Sequence, residues 1–597
     1  MAYDYDVIVI GSGVAGALMA WKLSSLKPGS KILILEAGKN GMNHVQRDKF
    51  HRDMIENVNR GDMHAPYAKL ESHTFAPVPD SLAEQQPGAP KYYDQRGPDT
   101  FKAQYLRQVG GSTWTWRGNT PRFVPNDFRL RSVYGRGEDW PATITYDTLE
   151  PYYVEAEREL GVSGNEGEWN DPTIKVFGKT LVQHFGKRSQ PYPMQPIVFG
   201  HGDEQMHTAL NKLLIELEGQ LIPVRVFHTP QARTSRPYRP HDDFDERPAC
   251  EGNSNCIPLC PIGAKYDATV HLRQAIGNGV HLQEASVVTR LAPEDSTNPK
   301  LVTRVVYKRW DAADKNAEHV VTARKVVLAA NAIETPKLLL MSPGLANSST
   351  QVGRNLMDHI QSDITMLFPR PLYPFRGPQS LASIEIFRDG PFRGKHSAIR
   401  MTIGNDGAGR APGRSINDVL DKLLSQNTFG TALTHRLEHT VARLVRIGFS
   451  TEMLPKPENF IKPSDTLRDA YGIPRPEIHF NLDEYTYAGL RKGHEIALTL
   501  ARGIPGIDQS EIEPLEWKKF EDPDWKRSAN TAAHIMGTCR MGDDSTTAVV
   551  NADGCSYDHP NLYIVGASVF PTSATANPTL TLAALTLRTA EVVAKTL

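Results

Sequence analysis

Near the start of the chain an apolar run, Asp6-Val7-Ile8-Val9-Ile10, leads directly into Gly11-Ser12-Gly13-Val14-Ala15-Gly16 and then Ala17-Leu18-Met19-Ala20-Trp21-Lys22-Leu23. That order predicts a strand, a tight turn and a helix. Gly11 would allow the turn, Gly13 would let the backbone approach a pyrophosphate at the helix N-terminus, and Gly16 would let helix and strand pack closely. A second apolar strand, Lys31-Ile32-Leu33-Ile34-Leu35, ends at Glu36, twenty residues past Gly16, where an acid accepts hydrogen bonds from a ribose. Together these pieces predict a dinucleotide site on an α/β fold with a parallel sheet.

At 597 residues the chain is too long for one core, so two large domains or one with long insertions are expected. Its 67 Lys plus Arg against 68 Asp plus Glu give a net charge of -1, which argues against a nucleic-acid partner. No apolar run approaches the ~18 residues of a membrane span. Only Met1 to Tyr5 precede the first strand, so the expectation is that the chain has no export signal of its own.

Residues 40 to 100 are polar and lack a sustained period, and they read as a surface excursion. Order returns at Gly110-Gly111-Ser112-Thr113-Trp114-Thr115-Trp116. The paired glycines bring the backbone close to a flat ligand, and the tryptophans supply apolar walls. Residues 139 to 163 carry a helical period, while 186 to 250 look irregular and are assigned to a cap. From 286 the pattern turns sheet-like and includes Val287. It closes on Lys325 to Ala330 and a helix expected to carry its proline, Pro336, near the first turn. Residues 363 to 530 alternate in short runs around a charged helical stretch near 415 to 445, giving a mixed α+β candidate substrate region.

Three of the five cysteines, Cys250, Cys256 and Cys260, lie in a Gly- and Asn-rich loop at spacings of five and three residues, the last followed by Pro261. Soft thiolates in that pattern suit an iron-sulfur cluster. Three other readings stay open: a zinc site with His241 as the nearest histidine, a disulfide plus an odd thiol, or unliganded core cysteines.

The last 65 residues hold His534 in a small-residue setting, a buried strand at 561 to 567, and Asn577-Pro578-Thr579 opening the closing helix. Asn577 is expected at the N-cap and Pro578 at the first helical position.

Taken jointly, Gly11 to Gly16 with Glu36, Gly110-Gly111-Ser112, Ala330 to Leu340, Gly353-Arg354-Asn355-Leu356 with Asp358-His359, and His534 with Asn577 resemble the glucose-methanol-choline (GMC) family of flavin oxidoreductases. The resemblance implies a non-contiguous Rossmann-like FAD-binding domain, at 1-130, 250-362 and 530-597. It implies also an α+β substrate domain with an antiparallel sheet, at 131-249 and 363-529. FAD would be held by Gly11, Gly13, Gly16, Glu36, Gly110, Gly111, Ser112, Val287, Ala330, Asn577, Pro578 and Thr579, and the catalytic pair would be His534 and Asn577. His534 would act as base while hydride leaves for the flavin, and Asn577 would orient the same oxygen. The closing helix would point its N-terminus at the flavin pyrimidine edge.

Bacterial sugar dehydrogenases of this family share the loop Cys250, Cys256, Cys260-Pro261-Ile262-Gly263-Ala264, which in them holds a three-iron, four-sulfur (3Fe-4S) cluster; here Glu251 replaces a further cysteine. Pyranose oxidases and glycoside 3-oxidising enzymes share Trp116, Thr120-Pro121-Arg122-Phe123, Gly537-Thr538 and Asn577-Pro578-Thr579-Leu580. Where several relatives carry a histidine that bonds the flavin, this chain has Thr115, so non-covalent FAD is expected. The resemblance implies a dehydrogenase oxidising a sugar hydroxyl, C3 of a glucoside first, with aldose C1, fructose and gluconate as alternatives. An oxygen-using pyranose oxidase, a nicotinamide-dependent enzyme and a redox-sensing flavoprotein are the rival classes. Kinship further implies a small signal-bearing subunit, a c-type cytochrome acceptor and a periplasmic location reached with that partner.

Overall fold

The computed structural model describes residues 3-43, 45, 47-49, 52, 93-103, 105-252, 256, 259-294, 298-374, 376-405, 416-469, 471-513 and 530-597. The strand Tyr5–Ile10 lies at the middle of a seven-stranded sheet. It runs parallel to Ile32–Leu35 on one side and to the end of Glu318–Leu328 on the other, with Ile10 opposite both Leu35 and Leu328. Val7, Ile8 and Val9 are fully buried, as expected of a central parallel strand covered on both faces. His281–Gln283 extends the parallel set beyond Ile32–Leu35, and Leu562–Ile564 adds to it beside Glu318–Leu328. The first half of Glu318–Leu328 pairs antiparallel with Val302–Arg309, which pairs in turn with Ser286–Pro293. One long strand therefore joins a parallel sheet to an antiparallel ribbon.

The helix Val14–Leu26 follows the glycine turn and is buried on nearly every face, Ala17, Leu18, Met19, Ala20 and Leu23 completely. It packs against the closing helix Thr579–Lys595, so the two ends of the chain meet. Gly16 is obligatory for this packing: a Cβ there would sit 1.9 Å from the carbonyl oxygen of Gly11. Gly11 has φ +100°, and a Cβ on it would approach Ala329 O to 2.7 Å.

A second seven-stranded sheet is antiparallel throughout. Its path runs Ile512–Glu513, Ile360–Leu367, Leu444–Thr451, Ile399–Gly404, Ala382–Ile384, Phe227–His228, with Asn530–Thr531 also pairing on Ile360–Leu367. The helix Glu484–Arg502 packs on it. A three-stranded sheet joins Phe460–Arg468, Pro474–His479 and Asp94–Gln95. The charged stretch is two helices, Ile416–Ser425 and Gly430–Arg443.

Four local expectations need correction. The excursion expected over 40 to 100 falls mostly outside the described residues, but its end is interior: Tyr93 and Phe101 are buried, with Phe101 against Phe480. The stretch 186 to 250 contains the helix His201–Leu210 and the hairpin Leu214–Leu217 with Gln220–Pro223, and it gives Phe227–His228 to the second sheet. In the helix Asn331–Leu340, Pro336 sits in the middle rather than in the first turn. The carbonyl of Ala332, which proline's missing N–H would leave without a donor, accepts instead from Thr538 Oγ1 at 2.7 Å. Finally, the closing helix starts at Thr579 with Pro578 as its N-cap, one residue later than expected, because the Asn577 side chain is engaged elsewhere.

Candidate active site

The Asp358 carboxylate organises the backbone around His534. Its Oδ1 accepts from the amides of His359 at 2.6 Å, Ala532 at 3.2 Å and His534 at 3.0 Å. Met357 and Met536 exchange both backbone hydrogen bonds at 3.0 Å, which laces the two segments together. Ala533 adopts φ +57° between these anchors, a turn that a non-glycine residue holds only when its surroundings fix it. Burial pushes Asp358 up to about 7 despite the three N–H donors.

Three contacts settle the protonation of the two imidazoles. His359 Nε2 lies 3.0 Å from the carbonyl of Ser573, which can only accept, so His359 carries its proton on Nε2 and offers a lone pair at Nδ1. His534 Nδ1 lies 2.9 Å from that lone pair and therefore carries the proton. His534 Nε2 is left as an acceptor, and Asn577 Nδ2 donates to it at 2.9 Å. The amide orientation agrees, because Asn577 Oδ1 accepts from Arg400 Nη1 at 3.3 Å. A basic imidazole nitrogen and an amide donor thus meet at one point. His359 is fully buried and held down to about 4 by burial, while His534 is only half-buried. Burial, the neighbouring His359 and the Arg400 charge hold His534 well below the ordinary histidine value.

His534 and Asn577 were both expected, and the fold brings them together across 43 residues. His359 and Arg400 were not assigned roles. The adjacent motif around Asp358 was the one sequence signal for His359; Arg400 had none.

Gly11, Glu36 and Ala330, three of the residues expected to hold the nucleotide, follow the carboxyl ends of the parallel strands, where such sheets bind ligands. Ser12 Oγ donates to Glu36 Oε2 at 2.7 Å and accepts from Gly110 N at 3.2 Å, tying three predicted segments together. Glu36 also accepts from Ser12 N and Gly38 N, and burial raises its carboxyl above the usual range. A Cβ on Gly111 would come within 3.1 Å of Gly13 Cα, whereas one on Gly13 would meet nothing from other segments within 4 Å among the described residues. This open cradle above a turn otherwise closed by Gly11 and Gly16 fits a pyrophosphate. Ala330 borders Gly11, and Ser286 N donates to Glu36 O, bringing Val287 alongside. Ser112 spends its Oγ as acceptor for Leu106 N. Pro578 and Thr579 stand at the closing helix N-terminus. Thr115 Oγ1 donates to Ser112 O at 3.3 Å. The residues present fit FAD.

The cysteine loop gives a different result. All five cysteines are free, so the disulfide reading is set aside, and His241 Nε2 is occupied by both oxygens of Glu159 at 3.0 and 3.1 Å. Among the described residues no three His, Cys, Asp or Glu groups converge as metal ligands, so the arrangement does not by itself fit a cluster. A feature absent from the expectations is Lys265, 2% exposed, whose Nζ donates to the carbonyls of Trp114 at 2.8 Å, Trp116 at 2.5 Å and Cys256 at 2.6 Å. One ammonium ties the thiol loop to the wall of the candidate flavin site. Burial opposes ionisation of Cys256, but the charges of Arg233 and Lys265 outweigh it and hold the thiol below its ordinary value.

Residues 231–361 and 455–586 match the N- and C-terminal models of GMC oxidoreductase. The chain is 33% identical to the fructose dehydrogenase large subunit of Gluconobacter japonicus, over 98% of this chain and 97% of that one. It is 27% identical to 2-methyl-1,2-propanediol dehydrogenase of Mycolicibacterium austroafricanum, over 99% and 95%. The crystal structure of pyridoxine 4-oxidase from Mesorbium loti shares the fold with TM-score 0.58 at 18% identity, covering 99% of both chains. The chain belongs to the GMC oxidoreductase family, whose members are FAD-dependent oxidoreductases of CH–OH groups.

Proposed function

We propose that this enzyme is a sugar dehydrogenase that oxidises a secondary ring hydroxyl, with C3 of a glucoside as the first substrate to try and fructose as the second. The observation that carries the reading is the hydrogen-bonded series His359, His534, Asn577, which leaves one basic nitrogen and one amide donor at the same point. A substrate hydroxyl entering between them would give its proton to His534 Nε2 and accept from Asn577 Nδ2. FAD, when bound, supplies the hydride acceptor. His359 would hold the imidazole in the one tautomer that can take the proton, and the partial exposure of His534 leaves the substrate a way in.

Two likenesses bear on the substrate. The glucoside reading draws on Thr120-Pro121-Arg122-Phe123 and Gly537-Thr538, shared with pyranose oxidases, and the fructose reading on the 33% identity to a fructose dehydrogenase subunit. In this reading the first sheet forms the FAD side and the antiparallel sheet covers the substrate. FAD is non-covalent because Thr115 replaces the linking histidine. The relative's name as a large subunit supports a small partner that would carry the export signal to the periplasm, with a c-type cytochrome as acceptor. A 3Fe-4S cluster on Cys250, Cys256 and Cys260 belongs to the same reading by kinship rather than by ligand geometry, and iron analysis of the purified protein decides it.

The test of function is product NMR after incubation with a methyl glucoside or fructose and an artificial acceptor, with His534→Ala beside the natural chain. A 3-keto glycoside or keto-fructose product, with turnover cut ~10²-fold or more in the flavin-loaded variant, is expected. Turnover within a few-fold of the natural enzyme would remove His534 as base.

A further inference from the structure

Away from His534 and Asn577, a cavity of about 330 Å³ lies between the thiol loop and the helix Thr269–Gly277. Its volume is at the lower end of the ~300–1,000 Å³ of small-molecule sites. Three of the residues lining it are cations that make no ion pair among the described residues. Lys265 gives its ammonium to three carbonyls, none of them charged. Arg247, 6% exposed, donates from Nη2 to the carbonyl of Leu160 at 2.9 Å and stands over the Tyr266 ring, and burial holds it down to about 10. Arg273, one helical turn past Thr269, is only half-buried and has no partner among the described residues. It is the cation that a ligand in the cavity can meet.

The acids nearby do not answer these charges. Asp267 is committed to Arg47 Nη2 at 2.7 Å and to Thr269 N at 3.0 Å, while Asp245 and Glu246 are exposed at the rim, where water and salt screen them. Cys260 also lines the cavity and, if ionised, would match one positive charge of the three. Leaving buried cations without counter-ions is costly, and an anionic ligand removes the cost. The cavity offers in addition apolar walls, Pro248, Pro261, Ile262 and Val270, and the positive end of the helix. We propose that it binds a small organic anion: Arg273 pairs its planar fork with a carboxylate or phosphate, Arg247 and Lys265 supply the field, and the apolar walls enclose the carbon skeleton. The site stands behind the wall of the candidate flavin site, since Lys265 bonds Trp114 O at 2.8 Å and Arg47, also lining the cavity, lies 4.7 Å over the Trp114 ring. It is independent of the alcohol that the enzyme oxidises, and failure of either assignment leaves the other standing.

The experiment is calorimetric titration of the FAD-loaded full chain with succinate, glycerol 3-phosphate and inorganic phosphate, against sodium chloride at matched ionic strength. Succinate or glycerol 3-phosphate should bind saturably at one site per chain and more tightly than inorganic phosphate, and the tighter of the two identifies the headgroup. Arg273→Gln should weaken that binding about 10- to 100-fold, the range of a charge-assisted hydrogen bond. Ile262→Trp, which keeps every charge but fills the cavity, should weaken it as well. Retained flavin absorbance and melting temperature show that the variants are folded. Arg273→Lys, which keeps the charge and loses the fork, provides the comparison if glutamine lowers the melting temperature. Binding that both variants leave unchanged, heat that sodium chloride reproduces, or no saturable binding of either organic anion overturns the site. Inorganic phosphate binding as tightly as both organic anions overturns the organic assignment.

Discussion

The Nδ1 atoms of His359 and His534 stand 2.9 Å apart, and because the Nε2 proton of His359 is committed to Ser573 O, the proton between them belongs to His534. A free histidine divides itself between two tautomers, only one of which exposes a lone pair at Nε2. His359 removes the choice.

Replacing His359 should therefore impair turnover without touching substrate. In His359→Phe the His534 Nδ1–H loses its acceptor and the ring is free to turn or change tautomer. We expect kcat to fall about 10- to 100-fold with KM nearly unchanged and flavin retained, measured by flavin bleaching with saturating sugar. A rise in KM with kcat preserved would instead place His359 in substrate binding.

The glycine turn gives a paired prediction. Gly16→Ala would drive a Cβ to 1.9 Å from Gly11 O, between helix and strand, so the chain itself should be destabilised and poorly recovered. A Cβ in Gly13→Ala meets no atom of another described segment within 4 Å, so the flavin-free protein should melt within about 1 °C of the natural one while its affinity for FAD falls. Flavin titration beside thermal melts of the stripped proteins checks both.

What the sequence made legible, and what it did not, follows from the reach of each interaction. Gly11, Gly13, Gly16 and Glu36 act within one strand-turn-helix-strand unit, where spacing alone carries the geometry. His534 and Asn577 were readable because each sits in a distinctive local setting. The pairs His359 with His534 and Arg400 with Asn577 are separated by 175 and 177 residues, and no local period records that they meet. The one-residue error at the closing helix has the same origin. Asn577 is a good N-cap by local preference, but His534 and Arg400 take its side chain and the cap passes to Pro578. Buried tyrosine and phenylalanine near residue 100 escaped notice because the strand they accompany pairs with Pro474–His479, far along the chain.

Thr538 is predicted to matter for stability rather than chemistry. Its hydroxyl supplies the donor that Pro336 denies to the carbonyl of Ala332. Thr538→Val keeps the shape and leaves that carbonyl unpaired in the interior, at a cost of about 1–3 kcal/mol. Denaturation of the FAD-loaded enzyme should show the loss, while kcat/KM at low temperature stays within about twofold.

Asp358 provides the pH test, and its sign opposes that of its neighbours. His359, held at about 4 against an unfolded value near 6.5, binds its proton later in the native state, so its contribution falls as pH drops from about 6.5 toward 4. Asp358, pushed to about 7 against roughly 3.9 in the unfolded chain, takes up its proton earlier in the native state, so its contribution rises over nearly the same interval. The two largely cancel in the natural enzyme. In Asp358→Asn the amide oxygen can accept the same three N–H bonds that Oδ1 alone accepts now, while Oδ2, which has no partner among the described residues, becomes the amide nitrogen. The variant should hold its fold near pH 7 but lose the offset. Relative to the natural enzyme its stability should decline by ~4 kcal/mol between pH 7 and pH 4, about three pKa units at 1.4 kcal/mol each. Asp358→Ala, which leaves three buried amides unpaired, should instead be unstable throughout the range. Denaturation midpoints of the three proteins at half-unit pH steps decide the matter: parallel curves for the natural enzyme and Asp358→Asn would mean that Asp358 is already ionised in the folded protein at pH 4.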